Sequence, residues 1–104
     1  MSIKKKSTTI AIFDNIRGES LSFGKMLESI RKSDEISQVE LAKKMKISKA
    51  FLCDIEKSRR PVSLEKAIQF AKVLGYSEYQ FVAKALEDQV KNAGLKVNIV
   101  LEAA

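Results

Sequence analysis

The order of apolar and polar residues predicts five short amphipathic helices between positions 21 and 93. After Ser22, apolar residues recur at intervals of three and four positions, which places them on one side of a helix. Similar spacing returns in four further segments, and each segment follows a serine that can cap a helix N-terminus. The capping serines are Ser22, Ser37, Ser48, Ser63 and Ser77. The pattern therefore predicts an all-α bundle.

The second and third predicted helices are short and almost adjacent. Ser37–Glu40 is a capping box, in which the serine and glutamate side chains bond each other's backbone amides, so the second helix should begin at Gln38. Two residues separate this helix from the N-cap of the third, Ser48. We expect the inward side chains of the second helix to be Val39, Leu41, Ala42 and Met45.

Two flanking segments have the pattern of β-strands instead. Residues 8–13 are rich in β-branched side chains, and residues 95–101 alternate apolar and polar positions. Because a lone strand leaves its backbone unsatisfied, we expect the two to pair with each other or across a dimer. A disordered arm is the alternative for the first. The predicted regions are an N-terminal arm or strand at 1–20, a helical domain at 21–93 and a C-terminal strand or tail at 94–104.

Composition restricts the possible chemistry. A chain of 104 residues with 45% hydrophobic content suits about one domain. The sequence has no histidine and a single cysteine, Cys53, so the commonest general base and a cysteine-rich zinc site are both missing. We therefore expect no enzyme activity and no cofactor. No apolar run approaches a membrane span, which favours a cytoplasmic protein.

The formal charge of +6 is unevenly distributed along the chain. Residues 1–60 contain fourteen Lys and Arg against eight Asp and Glu, whereas residues 61–104 contain five of each. A concentrated basic patch attracts polyanions such as DNA, although a solvated, solubilising surface is the alternative. Seven of the basic residues lie between positions 43 and 60: Lys43, Lys44, Lys46, Lys49, Lys57, Arg59 and Arg60.

The third predicted helix has one apolar side and one mixed side. Phe51, Leu52 and Ile55 fall within an arc of roughly 100°, which we expect to face the core. A surface that enters a DNA groove needs small residues together with a few donors and acceptors. The opposite side of the helix has this composition: Lys49, Ala50, Cys53, Asp54 and Lys57.

The residues from Phe23 to Leu86 resemble the lambda repressor and Cro-like (Xre) family of helix-turn-helix proteins. The motif that carries the resemblance is Ser37-Gln38, Leu41-Ala42, Met45, Ile47-Ser48, Leu52, Ile55-Glu56 and Ala71-x-x-Leu74-Gly75. The resemblance implies a five-helix bundle whose third helix reads the major groove of double-stranded DNA. It implies a repressor-type regulator that binds an inverted repeat as a homodimer. An antitoxin that binds a toxin protein and represses its own operon is the alternative, and it would use the flanking strands.

The resemblance also implies DNA contacts for single residues, one with a phosphate and the others with base edges. Gln38 would bond a backbone phosphate. Lys49 and Ala50 would lie nearest the base edges, where lysine suits guanine and the alanine methyl suits a thymine methyl. Asp54 could accept from cytosine, and Cys53 would make a soft, close contact.

Other positions would contribute affinity or hold the helices together. Lys57, Arg59 and Arg60 follow the third helix and would neutralise phosphates. Arg31 would pair with Glu56 and fix the angle between the first and third helices; a solvated Glu56 carboxylate is the alternative.

Two positions depart from the family pattern. The family commonly has glycine where this chain has Lys46 in the turn and Ser58 after the third helix. Glycine is favoured there because a positive φ costs it nothing, so we expect either mild strain at Lys46 or a slightly different turn.

Overall fold

The computed structural model describes residues 21–103. Five α-helices follow one another within this range, which confirms the predicted all-α bundle. They are α1 (Phe23–Ser33), α2 (Gln38–Met45), α3 (Lys49–Glu56), α4 (Leu64–Leu74) and α5 (Glu78–Asn92).

Each helix begins directly after the serine that the sequence predicted as its N-cap. In all five cases the serine Oγ accepts a hydrogen bond from the backbone N–H three residues further on. At α2 the capping box is complete, because the Ser37 N–H also donates to the Glu40 carboxylate at 3.1 Å. The Ser37 backbone N–H first, and the Ser37 side chain second, lower the pKa of the Glu40 carboxyl. The starts of α2 and α3 are therefore both set by local hydrogen bonds.

An aromatic cluster forms the centre of the core. Phe23 of α1 contacts Phe81 of α5 edge-on at 5.8 Å between ring centroids, and it contacts Phe70 of α4 at 6.1 Å. Around this cluster, α1 packs against α3 and α5, while α2 packs against α3 and α4. The α2–α3 pair is thus supported directly by α1 and α4, which in turn pack against α5.

Tyr76 lies in the core between α4 and α5. Its ring packs on Phe81 at 5.8 Å. Burial raises the pKa of Tyr76 to about 12, and the negative charge of the neighbouring Asp34 adds to this effect. The protonated phenol is therefore the form that the folded protein favours.

Gly24 allows α1 to approach the end of α3 closely. A Cβ at this position would lie 2.8 Å from the carbonyl oxygen of Glu56 and closer still to that of Ile55. These contacts are with backbone, which cannot move aside as a flexible side chain can. The sequence reading did not single out this glycine, because the contact depends on how α1 and α3 pack.

The prediction that Val39 faces inward is wrong. Its side chain is 47% exposed, whereas Leu41, Ala42 and Met45 are buried. Val39 lies about 120° around the helix from Met45, so it falls at the edge of the buried side. The capping box had fixed where α2 starts, but the buried arc depends on which helices pack against it.

The prediction of a C-terminal strand is also wrong. Residues 95–103 contain no strand, and within residues 21–103 there is none for them to pair with. The Ile99 N–H instead donates to the Glu87 carboxylate of α5 at 2.7 Å, so a side chain satisfies it. Val100 remains 80% exposed. The other predicted strand, residues 8–13, lies outside the described residues.

Candidate nucleic-acid interface

The two helices α2 and α3 are joined by a tight turn. The Lys46 N–H donates to the Lys43 carbonyl and the Ile47 N–H donates to the Ala42 carbonyl, which ends α2. Lys46 itself is left-handed, with φ of 58° and ψ of 43°. Ser48 then caps α3 immediately. This short turn fixes α3 at an angle to α2 that leaves one side of α3 unused by the bundle.

The inner side of α3 is anchored in the core. Leu52 and Ile55 are buried, and Phe51 is half-buried against the same core cluster. This agrees with the predicted inward arc.

The outer side of α3 faces away from the described residues. Lys49, Ala50 and Lys57 are exposed, and Cys53 and Asp54 are partly exposed. The structure thus brings the five predicted DNA-facing residues of this helix onto one open surface. A helix that is held from one side and open on the other has the form that enters a major groove in helix-turn-helix proteins.

A buried ion pair links α1 to the end of α3. The Arg31 Nε donates to Glu56 Oε2 at 2.7 Å, and its Nη2 donates to Glu56 Oε1 at 3.1 Å. The remaining Arg31 nitrogen, Nη1, donates to the Ile36 carbonyl at 2.9 Å. The two side chains are 9% and 1% exposed, so each needs the other to compensate its charge. Arg31 and Glu56 are the two residues for which the family resemblance implied an ion pair.

Gln38 shares the same carboxylate. Its Nε2 donates to Glu56 Oε1 at 2.8 Å, which ties the first residue of α2 to the last residue of α3. The sequence resemblance implied that this amide contacts a phosphate, and it gave no indication of a hydrogen-bond partner inside the protein. The internal bond occupies one of the two amide N–H groups, and the other is a further donor.

Asp54 and Arg59 contact each other at the surface. The Arg59 Nη1 lies 3.4 Å from Asp54 Oδ1, and both side chains are substantially exposed. An exposed pair of this kind is worth under about 1 kcal/mol, so either partner can leave it for a nucleic-acid group. The predicted base-reading carboxylate and a predicted phosphate-binding guanidinium therefore pair only weakly with each other.

Arg60 and Lys66 both lie over the ring of Phe51. The guanidinium carbon is 4.5 Å from the ring centroid and the lysine Nζ is 5.8 Å from it, both within reach of a cation–π contact. Lys66 was missed by the sequence reading, which limited the basic cluster to positions 43–60. The sequence could have indicated Lys66, because it lies in the first turn of α4, shortly after Arg59 and Arg60. Two cations beside one ring extend the basic surface from α3 to α4.

The two positions where the family commonly has glycine are left-handed in this chain. Lys46 has φ of 58° and Ser58 has φ of 60°. Ser58 lies beside α1, with its Oγ 3.1 Å from Ser22 Oγ. At both positions the backbone thus adopts a conformation that glycine takes most easily, although neither residue is glycine.

Other kinds of site have little support in the described part of the chain. Within residues 21–103 no group of three histidine, cysteine or acidic side chains could hold a metal ion. None of the five helices has the length and apolar character needed to cross a bilayer.

The comparison with known families agrees with this geometry. Residues 27–81, more than half of the chain, match the profile of the helix-turn-helix family. The chain belongs to the helix-turn-helix family. This finding confirms the resemblance to lambda repressor and Cro-like proteins, and both α2 and α3 lie within the matched residues.

One curated relative of this helix-turn-helix chain is the "Immunity repressor protein" of Bacillus phage phi105. The two are 36% identical over 55 residues, which covers 53% of this chain and 38% of the relative. The chain thus matches well under half the length of that protein. No solved structure matches the chain.

Proposed function

We propose that this helix-turn-helix chain is a transcriptional repressor that binds double-stranded DNA and reads its sequence with α3 in the major groove. Three findings support the proposal: the family to which the chain belongs, the similarity to a phage immunity repressor and the basic character of the α2–α3 region. The proposed function requires no catalysis and no cofactor.

The observation that carries the proposal is the open outer side of α3. Lys49 and Ala50 in its first turn are exposed, whereas Leu52 and Ile55 hold the helix in the core. In helix-turn-helix proteins the N-terminal residues of the second helix of the pair contact the base edges. Lys49 is therefore our choice for a guanine contact, and Ala50 for a contact with a thymine methyl. Cys53 and Asp54 would follow one turn later.

A second group of residues would bind the DNA backbone. Lys57, Arg59 and Arg60 surround the C-terminal end of α3, and Gln38 lies at the start of α2. Because every phosphate carries the same charge, contacts from these residues would add affinity for any sequence.

The proposed active form is a homodimer on an inverted repeat. The molecule measures 33 × 32 × 30 Å. A side-by-side pair of molecules of this size is compatible with α3 helices about one DNA turn apart, roughly 34 Å, which is the half-site spacing of helix-turn-helix dimers. Band-shift stoichiometry on a duplex with one or two half-sites would measure this.

The experiment that tests the function compares Lys49→Ala with Lys72→Ala on two duplexes. One duplex contains DNA from upstream of the protein's own gene, and the other has the same length and a random sequence. Lys72 is an exposed lysine in the last turn of α4, so its removal changes the net charge equally outside the helix-turn-helix pair. We expect Lys49→Ala to cost about 1–3 kcal/mol on the upstream duplex and much less on the random one.

Arg59→Ala serves as the phosphate control. It should weaken binding to both duplexes alike and reduce the salt dependence of the affinity, because it removes a contact that carries no sequence information. Equal losses on the two duplexes for Lys49→Ala would contradict the assignment of α3 as the reading helix. Failure of the wild type to bind either duplex at low salt would contradict the function.

No observation favours the antitoxin alternative. The C-terminal strand on which it relied is not formed in residues 95–103.

A further inference from the structure

The Glu56 carboxylate accepts three hydrogen bonds inside the protein. Two come from Arg31, at 2.7 and 3.1 Å, and the third comes from Gln38 Nε2 at 2.8 Å. Glu56 is 2% exposed, so almost all of its hydrogen bonding is with these two side chains. One buried acceptor thus joins α1, α2 and α3.

The chemistry of a carboxylate determines which way the Gln38 amide is turned. The Glu56 carboxylate forms an ion pair with the Arg31 guanidinium, and a carboxylate paired in this way only accepts hydrogen bonds. The amide must therefore present its NH₂ group to Glu56 and not its oxygen. An NH₂ group has two hydrogens, so one N–H bonds Glu56 and the second is available as a donor.

We propose that Glu56 is a positioning residue for DNA binding, which holds the Gln38 amide so that its second N–H can donate to a DNA phosphate. The inference rests on the proposed function, because it concerns the phosphate contact of Gln38. Its physical basis is that a side chain fixed before binding loses less conformational freedom when DNA arrives. Arg31 has two tasks in this arrangement: it fixes the carboxylate and neutralises a negative charge that would otherwise repel the phosphate.

The test is a cycle of four proteins: wild type, Gln38→Ala, Arg31→Met/Glu56→Met and the triple variant. The paired methionines remove the acceptor without leaving a buried charge unpaired, a replacement that is often neutral or stabilising. Affinity for a random-sequence duplex is measured by fluorescence anisotropy, since a phosphate contact does not depend on sequence. We expect the paired methionines to weaken binding about fivefold when Gln38 is present and less than about twofold when it is alanine.

Two further measurements separate positioning from general support. Glu56→Gln keeps an acceptor at the same place, so it should bind DNA more tightly than the paired-methionine variant. In the wild type, the ¹⁵N order parameter of the Gln38 side-chain amide should be near the rigid value of about 0.85 before DNA is added, and not below about 0.6. The second measurement needs no variant at the ion pair and therefore does not depend on how the variants fold.

The outcomes distinguish this inference from the function on which it rests. A wild type that binds no duplex would overturn the repressor proposal. Suppose that the wild type binds normally but the paired methionines reduce the affinity for DNA by the same factor with Gln38 and with Ala at position 38. That result would overturn only the role of Glu56. A flexible Gln38 amide in the free protein would overturn it too.

Discussion

Single residues on the outer side of α3 were predictable because helical periodicity depends only on spacing. The positions of Lys49 and Ala50 on the open side follow from the apolar arc of Leu52 and Ile55, and the structure has the same division. The bond from Gln38 to Glu56 could not be predicted in this way, because it depends on how two helices pack. Partners that lie far apart in sequence are fixed by tertiary structure and leave no local signal.

Tyr76 gives a prediction about pH at the same scale. Its pKa in the folded protein, about 12, lies above the ordinary value of 10.0 because the phenol is buried. The stability contributed by its protonated form is therefore fully present below pH 10.0 and is lost as the pH rises towards about 12. Replacing Tyr79 by Phe leaves Tyr76 as the single tyrosine, so phenolate absorbance then reports this residue alone.

In the Tyr79→Phe variant, we expect the Tyr76 phenol to ionise near pH 12, together with the loss of helical circular dichroism. Ionisation near pH 10 with the helices intact would contradict the buried environment of Tyr76. Tyr76→Phe provides the matched control, which should lack the high-pH step in stability that this phenol causes.

The helices themselves were predictable from their N-caps, whereas the C-terminal strand was not. A serine cap and an apolar stripe are local features, and all five helices begin where they indicate. A strand needs a partner as well as a period, and residues 95–103 bond α5 through Glu87 instead. Alternation alone therefore overestimated β-structure at this end of the chain.

The turn between α2 and α3 carries a strain that glycine should relieve. Lys46 holds φ at 58°, which costs an L-residue about 1–2 kcal/mol. Glycine would relieve this strain, but its greater conformational freedom in the unfolded chain would offset part of the gain in stability. We expect Lys46→Gly to raise the free energy of unfolding by about 0.5–1 kcal/mol in urea titrations. Lys46→Ala removes the same charge but keeps the strain, so it should not stabilise the protein. A stabilisation of equal size in both variants would assign the effect to charge.

The close contact of α1 with α3 predicts the opposite effect at Gly24. Adding a methyl group forces it against the backbone carbonyls of Ile55 and Glu56, so the helices must separate. We expect Gly24→Ala to lower the free energy of unfolding by about 2–3 kcal/mol, measured by urea titration. Ser29→Ala, a change to alanine at a partly exposed position in the middle of the same helix, is the control and should change it by less than about 0.5 kcal/mol. Unchanged stability in Gly24→Ala would mean that α1 and α3 are not packed this closely.

The charge distribution of the whole molecule agrees with the position of the helix-turn-helix pair. Seven basic residues lie between positions 43 and 60, and the structure adds Lys66 of α4 to the basic surface around Phe51. Such a field would draw DNA towards the side of the molecule that exposes α3. The sequence predicted the sign and the region of this charge, while its extension onto α4 required the fold.

Protection of Cys53 by DNA is the measurement that tests the central claim most directly. This residue is the single cysteine of the chain, and it lies partly exposed on the outer side of α3. A maleimide reagent therefore reports access to this helix without any engineered label. The control is a Cys53→Ser protein with Lys72→Cys, which moves the thiol to the exposed side of α4. The account predicts that saturating duplex DNA slows alkylation of Cys53 several-fold and leaves the control thiol unaffected. An unchanged rate at Cys53 under conditions where DNA is bound would contradict it, because α3 would then not face the duplex.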